Sequence, residues 1–150
     1  MPDTPEDSLL FREIAVSDAA AAAELSAELG YPTSADAMAH RIEQLQRLAN
    51  HVVYVASLSQ KVVGWIDVAI AHHLQGDPYC EIGGLVVRSP CRNSGIGRQL
   101  VAKAEQWAKD RNVTTMLVRS RVMREAAHRF YRREGYAQTK TSAVFSKQLT

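Results

Sequence analysis

The stretch Glu81–Leu100, EIGGLVVRSPCRNSGIGRQL, decides the fold of this chain. It begins as an apolar run ending in Leu85-Val86-Val87, turns polar with glycines at 95 and 97, and then opens an amphipathic pattern at Ile96, Leu100, Ala104 and Ala108. That order reads as strand, tight loop, helix. A strand feeding straight into a helix aims the unpaired N–H groups of the first helical turn at one spot, which suits a phosphate. Gly95 and Gly97 let the backbone approach a bulky anion, and Arg92 offers a charge-assisted bond to a phosphate oxygen. Two nucleotide-binding fingerprints fail here. A Walker loop needs Gly-Lys-Ser/Thr after its spacer, and a dinucleotide fingerprint needs glycine where Gln99 or Leu100 stands.

What fits is Arg92-x-x-Gly95-x-Gly97 behind a Val-rich strand, which resembles the loop of the GNAT superfamily of acyl-CoA N-acyltransferases. Ala127–Tyr136, AHRFYRREGY, resembles that family's second signature, Ala-x-x-aromatic-Tyr-x-x-x-Gly-aromatic. The two motifs stand in the family's order and span about half the chain. The resemblance implies an α/β fold, a GNAT-like mixed and mostly antiparallel central sheet with a splayed parallel strand pair, flanked by about four helices, in a single domain over residues 1–150. It also implies acetyl-CoA as the acyl donor and an amine as the acceptor, with no metal. The backbone of Leu85 would face the thioester carbonyl and that of Val87 would hold pantetheine, with Val86 between them. Arg92, Asn93, Ser94, Gly95, Ile96, Gly97 and Arg98 would surround the pyrophosphate. Two departures stand out: Asn93 replaces the commoner glycine after the arginine, and Ser89 stands where proline is usual, with Pro90 one position late.

Amine acylation needs a base, an oxyanion donor and an acid. Glu81 lies eleven positions before Arg92, the spacing at which histone-type members carry a glutamate base; the plainer reading is a solubilising residue at a strand edge. Tyr131 stands where many members keep the tyrosine that protonates the departing thiolate, and its plainer reading is a core aromatic beside Phe130. Gly83-Gly84 inside an apolar strand marks a bulge or a close backbone approach. Arg124 stands where the family often carries an asparagine near pantetheine. It is assigned to the cofactor, against a solvated helix-face arginine. His72 and His73 offer an alternative base in the loop after the third strand. Tyr31, Asp67 and Tyr79 are substrate-wall candidates, giving aromatic surface and a carboxylate for a cationic amine. The resulting reading is an N-acetyltransferase that moves an acetyl group from acetyl-CoA to a primary amine of a small molecule or peptide, by direct attack in a ternary complex. The alternative is a non-catalytic acyl-CoA-binding regulatory module, against which the presence of both Glu81 and Tyr131 argues. No acyl-enzyme is expected, because Cys80 sits on an apolar strand without a positive neighbour.

Composition narrows the rest. A chain of 150 residues with 46% hydrophobic and 23% charged residues is one soluble globular domain by length and content. Its net charge of +2 is too small to make nucleic acid a partner. Cys80 and Cys91 have no metal-ligand or disulfide spacing. The acidic N-terminus carries no signal segment, and no apolar run reaches membrane-spanning length, so no membrane partner is expected and the cytoplasm is the expected location. In order, the pattern predicts a strand over 8–16, a helix capped by Ser17-Asp18 and closed by Gly30, and a helix from Ser34 to about Asn50. Strands follow at 51–58 and 61–71 across the turn Ser59-Gln60, then a loop over 72–78. After the central strand, loop and helix come a strand over 113–120, a helix stopped by Gly135, and strands over 136–139 and 142–149. The strand-helix-strand unit around 81–120 should be parallel. The resemblance adds that such terminal strands commonly support a homodimer.

Overall fold

The computed structural model describes residues 8–120 and 123–150. These divide into two compact units, one ending at Val118 and one running from Arg119 to Thr150.

In the first unit the order is β1 (Leu9–Glu13), α1 (Ala19–Leu29), α2 (Ala35–Gln46), β2 (His51–Leu58), β3 (Lys61–His73), β4 (Gly76–Val87), α3 (Ile96–Asp110) and β5 (Met116–Val118). The sheet runs β1-β2-β3-β4-β5, antiparallel except for the parallel β4–β5 pair. Each face buries a different helical layer. Trp65, Val53, Val55 and Val86 meet Ala22, Leu25 and Ile42 of α1 and α2 on one face. On the other, Gly64 abuts Leu100 of α3, and Ile66, Val68 and Ile82 point to that same side, as do the buried α3 residues Val101, Ala104 and Trp107.

Helix ends follow local chemistry. Gly30, at φ 103°, ends α1, with Tyr31 N–H donating to the Ser26 carbonyl at 2.9 Å. Ser34 Oγ accepts from Ala37 N–H at 3.0 Å and starts α2. The Ser17-Asp18 cap takes another form than the pattern suggests. Asp18 precedes α1, yet its carboxylate accepts from Ala15 N–H at 2.8 Å and from Arg12 Nη1 and Nη2 at 2.7 and 2.9 Å, pinning the incoming chain instead of the helix.

Three sequence expectations are corrected. The loop expected over 72–78 is strand except for the turn Leu74-Gln75: β3 and β4 run 13 and 12 residues and meet in a hairpin, His73 pairing with Gly76. The strand expected over 113–120 shrinks to Met116–Val118 because Val113 closes α3 instead. Asn112 turns left-handed at φ 61° and Val113 N–H donates to the Ala108 carbonyl at 3.0 Å. Neither 136–139 nor 142–149 forms a strand. Strand propensity expresses fit to a neighbouring ladder, and Val144, Phe145 and Leu149 instead lie exposed.

The second unit holds α4 (Glu125–Arg133). Its end is a Schellman motif: Tyr136 N–H donates to the Tyr131 carbonyl at 2.9 Å, Gly135 N–H to that of Arg132 at 3.1 Å, and Gly135 takes φ 92°. The Tyr131 and Tyr136 rings meet edge-on across that turn at 5.8 Å.

Candidate active site

β4 organises the first unit's candidate site. Its ladder with β5 covers Cys80, Glu81 and Ile82 against Met116, Leu117 and Val118, and stops there. β4 runs on through Gly83–Val87, paired among the described residues only with β3. The direction of its amides follows from one bond. Arg88 N–H donates to the Val63 carbonyl at 2.7 Å, and antiparallel pairs alternate between bonded and non-bonded. Trp65–Val86 is therefore a bonded pair, while Leu85 opposite Ile66 and Val87 opposite Gly64 turn their N–H and C=O groups away from β3. These are the two positions assigned to thioester and pantetheine. β5 ends at Val118, so this row has no strand partner among the described residues.

Gly83 and Gly84 both oppose Asp67, a β-bulge that sets the outward row. The bulge also explains why both are glycine. A Cβ on Gly83 would stand 2.7 Å from Asp67 Oδ2, and one on Gly84 2.9 Å from Trp65 Cζ3. Bulge and tight packing are thus one feature.

The loop after β4 brings its predicted residues together at the start of α3. Asn93 and Gly95 take left-handed conformations, φ 64° and 86°, which bend the chain into the helix. Gly95 is the N-cap and supplies no side-chain acceptor, so the first-turn N–H groups of Ile96, Gly97 and Arg98 have none from their own cap. Ile96 is buried and anchors the turn, while Ser94 Oγ donates to the Cys91 carbonyl and closes the loop. Arg92 turns back along the strand: its Nε donates to the outward carbonyl of Val87 at 3.0 Å, and its guanidinium lies 3.9 Å from Glu28 of α1. Glu28 also accepts from Ser89 N–H at 3.3 Å, tying the loop to that helix.

Glu81 sits half-buried opposite Ala69, on the sheet face that carries Trp65 and Asp67. His73 and Tyr79 lie on that face near the hairpin end, stacked at 5.4 Å with Nε2 and the phenol oxygen 3.0 Å apart. His72 is exposed. Cys80 is fully buried, and burial pushes its thiol up, with Arg111 pulling weakly the other way. That is the opposite of what a thiolate nucleophile needs.

Sequence reasoning missed one contact. His51 of β2 and Asp67 of β3 are hydrogen-bonded through Nε2 and Oδ1. The residues are sixteen apart, and only the register of the hairpin turning at Ser59-Gln60, where Val53 faces Asp67, brings them into diagonal reach.

In the second unit, Arg124 immediately precedes α4 and is exposed, and Tyr131 packs edge-on against Phe130 at 5.2 Å. Burial raises the Tyr131 phenol above its ordinary value, partly countered by the Arg124 charge. A phenol so shifted is a neutral O–H donor at physiological pH. Among the described residues no cluster of three or more His, Cys, Asp or Glu could hold a metal ion, and no helix is long and apolar enough to cross a membrane.

The family model for the acetyltransferase (GNAT) family matches residues 19–136. The chain belongs to the GNAT acetyltransferase family. Among GNAT relatives, an aminoalkylphosphonate N-acetyltransferase of Salmonella typhimurium is 40% identical over 80 residues, covering 53% of this chain and 52% of that enzyme. The chain thus spans about half the length of that relative. An aminoglycoside N(6')-acetyltransferase type 1 of Stenotrophomonas maltophilia is 27% identical over 142 residues, 92% of each chain. The fold matches that of aminoglycoside N-acetyltransferase AAC(6')-Iy in complex with CoA, with a TM-score of 0.85 at 16% identity over 99% of both chains. These GNAT relatives are N-acetyltransferases named for amine acceptors, which favours catalysis over a purely regulatory acyl-CoA-binding module.

Proposed function

We propose that this GNAT protein transfers an acetyl group from acetyl-CoA to a primary amine by direct attack in a ternary complex, and that residues 1–150 act as one acetyltransferase domain. The observation that carries the reading is the outward-facing amide row of Leu85 and Val87, which runs past the end of the β4–β5 ladder toward the uncapped start of α3. An extended amide-bearing arm laid along that row gains strand-like hydrogen bonds, and its diphosphate end meets the N–H groups of residues 96–98. Arg92, Asn93, Ser94, Gly95, Ile96, Gly97 and Arg98 shape that end, with Val86 holding the strand from the core side; Arg124 is assigned to the same cofactor. The CoA bound to the AAC(6')-Iy neighbour supports this assignment.

In the reaction the amine nitrogen forms a bond to the thioester carbon, the C–S bond breaks, Glu81 accepts the amine's proton, and Tyr131 protonates the departing thiolate. The oxyanion is held by the Leu85 amide. This reading carries a cytoplasmic location, a compartment in which free thiols persist.

The test is isothermal titration of acetyl-CoA into wild type and Gly97→Glu. Gly97 lies inside α3 with no positive φ, so the substitution adds bulk and negative charge without backbone strain. Binding to wild type, lost in the variant at unchanged circular dichroism, is the expected result. Absence of wild-type binding overturns the reading.

A further inference from the structure

The register of three strands puts one side of the sheet in line. His51, Ala69 and Glu81 are cross-strand partners and share a face; Asp67, two residues from Ala69, shares it too. Further along that face Trp65 is covered by α1, its Nε1–H donating to the Ala22 carbonyl at 3.3 Å. Helical cover reaches Gly84, where Leu29 would meet a Cβ at 3.6 Å, and Asp67 is the next residue beyond Trp65 on this face, its side chain 31% exposed.

Asp67 is an acidic residue within the apolar stretch 62–71 of β3, and it is held in a defined pose. His51, its side chain only 15% exposed, takes Oδ1. Oδ2 lies over the bulge, in the space that any side chain at position 83 would occupy. A half-exposed carboxylate with one oxygen fixed and the other laid on the strand segment that presents Leu85 is a receptor for a cation. At neutral pH an aliphatic amine is a cation, so its capture needs a fixed anion close to the acyl group. A glutamate there would bring an extra methylene and more rotamer freedom, whereas an aspartate tied to a neighbouring strand is already ordered.

We propose that Asp67 is the specificity-determining anchor for the ammonium group of the acceptor, and that His51 is its positioning residue. This rests on the acetyltransferase reading above. Gly83 is then part of the acceptor site as well as of the bulge, since its missing side chain is what admits the carboxylate.

The test measures acetyl transfer from acetyl-CoA to 1,4-diaminobutane, a cation, and to acetohydrazide, a neutral nucleophile at pH 7. The enzymes are wild type, Asp67→Asn, His51→Gln and Gly83→Ala. The expected result is a rise in KM for the diamine of about tenfold or more in Asp67→Asn, the usual scale for losing a hydrogen bond to a charged group. kcat should stay within about threefold and the hydrazide parameters should not move. His51→Gln and Gly83→Ala, which keep the carboxylate but release or displace it, should raise the diamine KM in the same direction by less. An unchanged diamine KM in Asp67→Asn, an equal loss with both nucleophiles, or no wild-type preference for the cation overturns the proposal. Titration of acetyl-CoA into wild type and Asp67→Asn separates the two readings. Retained cofactor binding in both leaves the result to bear on Asp67 alone, whereas no binding to wild type removes the acetyltransferase reading and this inference with it.

Discussion

The indole of Trp65 lies across the bare backbone of Gly84, with Cζ3 2.9 Å from the point where a Cβ would stand, while its Nε1–H reaches the Ala22 carbonyl of α1. Ring, glycine and helix are therefore one packing unit. In Gly84→Ala the ring must move off the strand and weaken its hold on α1. The expected cost is about 1–3 kcal/mol, the usual range for overpacking. For a domain of this size each kcal/mol lowers Tm by about 2–4 °C. Differential scanning calorimetry reads the loss, and an unchanged Tm would show that the ring yields without cost.

The Arg12–Asp18 pair sets an acid limb for stability. Hydrogen bonding from Arg12 holds the Asp18 carboxyl below its ordinary value, aided by Ala15 N–H and the Arg12 charge and opposed by burial. A depressed folded-state pKa gives stabilisation that is complete above the unfolded value of about 3.9 and lost as pH falls through the folded value. Asp18→Asn should therefore cost about 1–2 kcal/mol at neutral pH, a figure reduced because Arg12 is half-exposed and screened. The difference between variant and wild type should shrink as pH falls below the unfolded value and toward the depressed folded one. Urea titrations at pH 7, 4 and 3 check it, and a gap that does not narrow between pH 7 and pH 3 would assign the effect to packing.

Tyr131 separates chemistry from packing. Its phenol is raised by burial and so carries its proton through neutral pH, as a donor to a thiolate must. Tyr131→Phe keeps the edge-on contacts with Phe130 and Tyr136. Turnover should fall by about 10²-fold, the scale of a lost general acid, with Tm unchanged. Equal loss of Tm and turnover would make the residue a packing aromatic.

The two thiols should behave differently. Cys91 is partly exposed in the short turn after β4, whereas Cys80 is fully buried with its thiol pushed up. An aromatic disulfide reagent should titrate Cys91 promptly in the native protein and Cys80 only on unfolding. Equal rates at both would mean that β4 opens on the timescale of the assay.

Most of the first unit was legible because its signals are local. Gly30, the Ser34 cap, the Ser59-Gln60 turn and the step from Val87 to Ile96 each act within a few residues, and each stands where the pattern put it. What the pattern missed depends on partners distant in sequence. The 72–78 segment carries turn-forming residues, yet its hairpin register with β3 makes most of it strand. Val144 and Phe145 have strand-like side chains and no ladder among the described residues. In the site, Glu81, Leu85 and Val87 were assigned through the family resemblance, and the glycine pair announced the bulge. The His51–Asp67 pair needed the register of an entire hairpin before the two residues could be brought together.

Among the described residues, the outward row at Leu85 and Val87 leaves the sheet one strand short along its last stretch. In the proposed complex the substrate's own arm completes the ladder, so the protein reaches its full hydrogen-bond complement only while engaged in turnover. These amides should exchange with deuterium readily in the empty protein and slow on adding acetyl-CoA. An alanine scan, which trims side chains and leaves every amide in place, would pass over the very groups proposed to hold the substrate.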